Sequence, residues 1–138
     1  MAETPSHRFP VRVYYEDTDA GGIVYHSAYL RFAERGRTEW MRDLGYDHTT
    51  LRDTYGAGFT VARCEIDYRK PALLDDFLEV ETRILKTGGA SASLEQDVLR
   101  DDEPLVRMKL KIAFVGSDGR PYRMPDHLRQ VLSGGANP

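Results

Sequence analysis

Between Ser27 and Leu44 the chain carries one apolar stripe at helical spacing, and after Gly56 the period changes to two, so a single long helix must serve several strands. Tyr29, Phe32, Ala33, Gly36, Trp40 and Leu44 recur at steps of three and four, while Arg31, Glu34, Arg35 and Arg42 fall opposite. Arg35 with Glu39 and Glu34 with Arg37 read as a solvated, charge-paired face. Gly45 follows where a left-handed cap is cheap, and Asp47 can cap a further short helical turn over 47–55. Upstream, 9–16 alternates through Val11, Val13 and Tyr15 and predicts a strand that runs into the turn Asp17-Thr18-Asp19-Ala20-Gly21-Gly22. Downstream, 60–68, 78–84, 91–99 and 106–114 predict four more strands. The last is the clearest, with Val106, Met108, Leu110, Ile112 and Phe114 interleaved with Arg107, Lys109, Lys111 and Ala113.

This order predicts an α+β fold, an antiparallel sheet with the helix on one face. The dimensions agree: a helix over 27–44 is about 27 Å long at 1.5 Å per residue, and a ten-residue strand spans about 33 Å. A curved five-stranded sheet can wrap one such helix, and Gly36 in mid-helix makes sense where a strand presses close. An open sheet leaves unpaired edges, whose usual remedy is a second copy, so a homo-oligomer is expected.

The 138 residues suit one domain, predicted over 8–132 with flexible ends at 1–7 and 133–138. A net charge of −3 leaves no basic excess to track nucleic acid. No apolar run suggests a membrane span, and the first residues lack the basic start and apolar stretch of a secretory signal. The one cysteine, Cys64, excludes an internal disulfide; a cytoplasmic address is expected.

Chemistry concentrates in 15–26, where Glu16, Asp17, Asp19 and His26 lead into the helix. A helix N-terminus offers unpaired N–H groups and a positive dipole end. If Asp19 folds back toward the amides around His26, a carboxylate shares a pocket with donors able to hold an oxyanion, a minimal acyl-transfer site. The acids also fit the plainer role of solvated turn residues that favour the helix start, and His26 that of a packed or solvated side chain. Tyr15, on the strand entering the turn, can present its hydroxyl to the same pocket or simply pack. A metal site would recruit Glu16, Asp17, Asp19 and His26, but no familiar ligand spacing is present, so neither metal nor cofactor is expected. Cys64, alternating with Ala62 and Ile66, reads as an inert core thiol.

The run Tyr15-Glu16-Asp17-Thr18-Asp19-Ala20-Gly21-Gly22-Ile23-Val24-Tyr25-His26, with Tyr29-Leu30-Arg31-Phe32-Ala33-Glu34-Arg35 and Arg37-Thr38-Glu39, resembles the signature of hot-dog-fold acyl-CoA thioesterases of the 4-hydroxybenzoyl-CoA thioesterase superfamily. Its YbgC-like, Tol-Pal-associated branch fits best. Tyr68-Arg69-Lys70-Pro71-Ala72, Leu74-Asp75-Asp76, Pro125 and Leu128 extend the similarity over nearly the whole domain. The resemblance implies a hot-dog fold, one long helix wrapped by a curved five-stranded antiparallel sheet, assembled as dimers that commonly pair into tetramers. It implies that Asp19 is the catalytic carboxylate, as general base for water or as nucleophile through a mixed anhydride. By the same similarity His26 marks the helix start where a backbone N–H polarises the thioester carbonyl, and Tyr15 stands beside the acid. Where some relatives hold the CoA phosphates with basic residues after the third strand, this chain has Gly88-Gly89 with only Lys86 nearby, leaving Arg69 and Lys70 as weaker substrate-binding candidates.

The leading expectation is a hydrolase that splits acyl-CoA into free acid and CoA, with acyl carrier protein a further partner. The alternatives are a non-catalytic acyl-carrier or envelope-complex binding protein on the same fold and, ranked lower, a hot-dog dehydratase.

Overall fold

The computed structural model describes residues 6–134; 1–5 and 135–138, predicted as parts of the flexible ends, lie outside the described residues. Its elements are β1 (Ser6–Arg12), α1 (Ala28–Asp43), α2 (His48–Tyr55), β2 (Ala57–Tyr68), β3 (Phe77–Thr87), β4 (Ser91–Arg100), β5 (Glu103–Gly116) and α3 (Asp126–Leu132). One five-stranded sheet runs in the order β1-β3-β4-β5-β2, every neighbouring pair antiparallel. Because β1 and β2 are opposite edges, the segment joining them has to cross the sheet, and α1 makes that crossing over β1, β3 and β4. Register shifts at Val61/Arg63, Ile84/Lys86 and Val98/Leu99 bend the strands around it. The architecture is the α+β hot-dog arrangement of a curved sheet around one long helix.

The core follows the two periods. Tyr29, Phe32, Ala33, Gly36 and Trp40 of α1 are buried, as are Val106, Met108, Leu110, Ile112 and Phe114 of β5 and Leu78, Val80 and Ile84 of β3. Each large apolar side chain buried this way is worth about 1.5–3 kcal/mol relative to exposure. At Gly36 the helix lies so close to β3 that a methyl group there would stand 2.7 Å from Val80 Cγ1. Gln96, buried on the inner face of β4, ties the layers together: its Nε2 donates to Ala33 O and to Thr82 Oγ1, each at 2.9 Å. The outer face is charged, with Asp97 held between Arg83 and Arg107. No helix among the described residues is long and apolar enough to cross a membrane.

Three expectations change and one element is new. Strand β1 covers Ser6–Arg12 rather than 9–16, taking in Ser6 and His7, and Tyr15–Asp17 form a 3-10 turn instead of its end. The reason is local: Asp17 Oδ2 accepts the Tyr14 N–H at 2.9 Å and turns the chain off the sheet. The bulge at Ala62 breaks its alternation with Cys64, leaving Ala62 exposed while Cys64 and Ile66 pack half-buried against the core. Arg37 leaves the solvated helix face and donates to Gln96 Oε1 at 2.8 Å. Helix α3, which the alternation does not announce, seats Leu128 and Leu132 in the core.

Candidate active site

The acids at 16–19 have three different environments. Glu16 is exposed. Asp17 is 5% exposed and serves the fold: its carboxylate accepts from Tyr14 N–H and, at 3.4 Å, from Arg31, and its carbonyl accepts from Tyr25 N–H at 2.9 Å. Asp19 heads a tight turn closed by the bridge between Thr18 and Val24. Its N–H donates to Ile23 O at 2.9 Å, its carbonyl accepts from Gly22 N–H at 3.0 Å, and its Oδ1 accepts from Gly21 N–H at 2.8 Å. Gly22, at φ +80°, supplies the left-handed residue that the reversal needs. The second carboxylate oxygen has no hydrogen-bond donor among the described residues.

The opposite wall comes from residues about 50 positions later. Val24 N–H donates to Ala72 O at 2.9 Å, and Leu74 N–H to Gly22 O at 3.1 Å. Ala72 N–H reaches Tyr29 Oη at 2.9 Å, and Tyr68 Oη donates to His26 O at 3.1 Å. Burial pushes the Tyr29 phenol up from its ordinary value, so it stays neutral and works as a strut. Tyr29 and Tyr68 meet edge to face at 5.8 Å. Together they border an open hollow of about 360 Å³ flanked by Ile23, His26, Lys70 and Pro71. Helix α1 begins at this hollow. Ala28 N–H bonds Tyr25 O and Leu30 N–H bonds Ser27 O, whereas among the described residues no backbone carbonyl accepts from the N–H of His26 or Ser27. Such free amides at a helix start are natural anion donors.

The sequence candidates therefore gather unevenly. Asp19 and His26 stand on the two arms of one stitched loop, although the Asp19 carboxylate is bonded to Gly21 rather than to the amides around His26. The His26 ring is exposed and stacks on Tyr25 at 5.0 Å. Tyr15 is 83% exposed on the 3-10 turn, not on the strand. Arg69 and Lys70 line the hollow but are already paired, Arg69 with Asp67 at 3.0 Å and Lys70 with Glu103. Desolvation pushes the Cys64 thiol up, which keeps it a poor nucleophile. Among the described residues no three His, Cys, Asp or Glu side chains converge as a metal site. Spacing marks neither Tyr29 nor Asp76 as a site residue. Asp76 accepts from Leu73 N–H and Arg100 and so fixes the turn behind the hollow. Tyr29's place in the apolar helical stripe hid its second task.

The model of the thioesterase-like superfamily matches residues 13–132. Acyl-CoA thioesterase YbgC of Haemophilus influenzae is 48% identical over 125 residues, covering 90% of this chain and 92% of that protein. Acyl-CoA thioester hydrolase YbgC of Escherichia coli O157:H7 is 43% identical over 103 residues, covering 75% of this chain and 76% of its own. Among solved structures, a probable thioesterase from Bartonella henselae superposes with TM-score 0.83 at 40% identity, covering 88% of this chain and 100% of that one. A loop, helix start and sheet of this design, matched over nearly their full length, make the chain a member of the thioesterase-like superfamily, in its YbgC branch.

Proposed function

We propose that this chain is an acyl-CoA thioesterase that hydrolyses the thioester to a free acid and CoA, with Asp19 as the acting carboxylate and the N–H groups of His26 and Ser27 as the oxyanion donors. The observation that carries this reading is the stitching of the Asp19 turn to the helix start. Tyr25 N–H on Asp17 O and Val24 N–H on Ala72 O fix both sides of the interval in which a thioester carbonyl would lie. As general base, Asp19 takes a proton from water while the oxygen attacks the carbonyl carbon. The tetrahedral oxyanion accepts from the helix-start amides, and its collapse breaks the C–S bond and releases the CoA thiolate. As nucleophile, Asp19 forms a mixed anhydride that water then opens; the same atoms serve either route. Tyr15 is assigned a supporting place beside the acid, and Arg69 and Lys70 a secondary one toward the CoA portion. Assembly into dimers that pair as tetramers, a cytoplasmic address and acyl carrier protein as a second carrier of the thioester belong to the same reading. The names of the YbgC relatives support the activity.

Asp19→Asn tests it. The asparagine oxygen keeps the bond to Gly21 N–H, so the turn survives while the basic and nucleophilic oxygen is lost. Hydrolysis of acyl-CoA, followed as released thiol, is expected to fall by about 10²–10⁴-fold, the usual worth of a positioned acid–base group. A folded variant with undiminished turnover would mean that the acting group lies elsewhere.

A further inference from the structure

Helix α1 packs on β1, β3 and β4, and α2 packs on β2. Between these two contacts lies a cavity of about 350 Å³ with walls from Trp40, Leu51, Phe59 and Ile112, and Arg37 is in its lining. Arg8, Arg83 and Arg107, on the sheet's outer face, each bond a carboxylate. Arg37 does not. Among the described residues its guanidinium makes one hydrogen bond, to the neutral Oε1 of Gln96 at 2.8 Å. Gln96 is fully buried, and its Nε2 is committed to Ala33 O and Thr82 Oγ1, so the oxygen that holds Arg37 cannot turn away. Glu34, three residues earlier on α1, is exposed and also lines this cavity, where its charge favours the guanidinium, but the two form no ion pair among the described residues. A guanidinium carries five donors in a rigid fork that matches a carboxylate. Here it is partly desolvated, oriented and without a directly bonded carboxylate, at the wall of an aromatic cavity.

We infer that this cavity takes the far end of the acyl group and that Arg37 selects acyl groups ending in a carboxylate, that is, the CoA monothioesters of dicarboxylic acids. The inference rests on the hydrolase reading above and names its substrate class. Arg37 lies ten residues along α1 from Ser27, about 15 Å at 1.5 Å per residue, and its side chain, held by Gln96 beside Ala33, reaches back over part of that distance. A medium-length acyl chain covers the rest. Cys64 and Ile66, half-buried on the inner face of β2, supply apolar surface between the Tyr29–Tyr68 hollow and the cavity. A chain laid along them meets hydrocarbon first and then a fixed cation.

The test compares suberoyl-CoA with octanoyl-CoA, and adipoyl-CoA with hexanoyl-CoA, on the wild type and on Arg37→Met. The kcat/KM ratio of carboxylated to plain acyl group is expected to favour the carboxylated partner in the wild type. It should drop by about ten- to a hundred-fold in the variant, the worth of a hydrogen bond to a charged group. Free suberate, as product, should raise the thermal midpoint of the wild type and not that of Arg37→Met. A wild type that prefers the plain acyl groups, or a ratio that the substitution leaves unchanged, overturns the inference. If the wild type hydrolyses none of the four thioesters but cleaves a shorter or an aromatic acyl-CoA, the inference is overturned while the hydrolase reading stands; if it cleaves no acyl-CoA at all, the hydrolase reading fails, and suberate protection alone decides the cavity: selective protection of the wild type upholds it, equal or absent protection overturns it.

Discussion

At the scale of single residues, Gly36 shows how far spacing can carry. A glycine in the middle of a sixteen-residue helix costs about 1 kcal/mol of propensity, and the contact that requires it is Val80. A Cβ at Gly36 would lie 2.7 Å from Val80 Cγ1 and 3.2 Å from Val80 Cβ. Valine is stiff at χ1, so neither atom can swing aside. Gly36→Ala regains the propensity but incurs an overpacking cost of about 1–3 kcal/mol. The expected result is a net loss of about 1 kcal/mol in chemical denaturation, and Gly36→Ala with Val80→Ala should lose less than the sum of the single changes. A single variant as stable as the wild type would deny the close approach. Arg37, the next residue, was hidden by its chemistry rather than by its position. It lies four residues after Ala33 and three before Trp40, on the spacing of the buried stripe, but a charge three residues from Glu34 reads as solvated. Asp17 and Asp19 were inseparable by spacing alone. Only the backbone path gives the first a buried structural task and leaves the second with a carboxylate oxygen available.

At the scale of elements, the parts that announce themselves are those with local signals. Asp47 before a short polar helix and Gly56 after it are such signals, and α2 is bounded by both: Asp47 Oδ1 accepts Thr50 N–H at 2.8 Å, and Gly56 sits at φ +66°. The hydrogen bonds from Thr50 hold the Asp47 carboxyl below the ordinary carboxylate range. A folded-state pKa below the unfolded one means that the cap's contribution is complete above the unfolded value of about 3.9 and fades as pH falls through the folded value. Asp47→Ala is therefore expected to lower the thermal midpoint at neutral pH, and the gap from the wild type should close below about pH 4. A gap that persists unchanged in acid would assign the loss to something other than the charged cap. Helix α3 lacked any comparable signal. Seven residues hold only Leu128, Val131 and Leu132 as apolar spacing, too few to separate from a loop. The end of β1 was equally illegible, because Tyr15 keeps the alternation of Val11 and Val13 after a side chain, Asp17, has already taken the backbone off the sheet.

At the scale of the whole molecule, the length match between helix and strands foretold the wrapped sheet, while its strand order depended on pairings between distant residues that alternation does not encode. That order leaves two unequal edges. Strand β1 is seven residues long and carries Pro10, which cannot donate outward. Strand β2 is twelve residues long, has no proline and is exposed from Thr60 to Arg63. An edge of that length without protection is a template for another strand, so a second copy is expected to pair β2 to β2. Ala62, bulged out of register with β5, is where a proline removes an N–H at least cost to the existing ladder. Sedimentation of the wild type should give two or four times 15.7 kDa, and Ala62→Pro should shift it toward 15.7 kDa with an unchanged far-ultraviolet spectrum. A wild type sedimenting at 15.7 kDa, or a folded proline variant that stays assembled, would show that the β2 edge is not the seam. If the seam is there, thiol release should fall with the mass, because β2 carries Tyr68 at the candidate hollow and Phe59 at the Arg37 cavity.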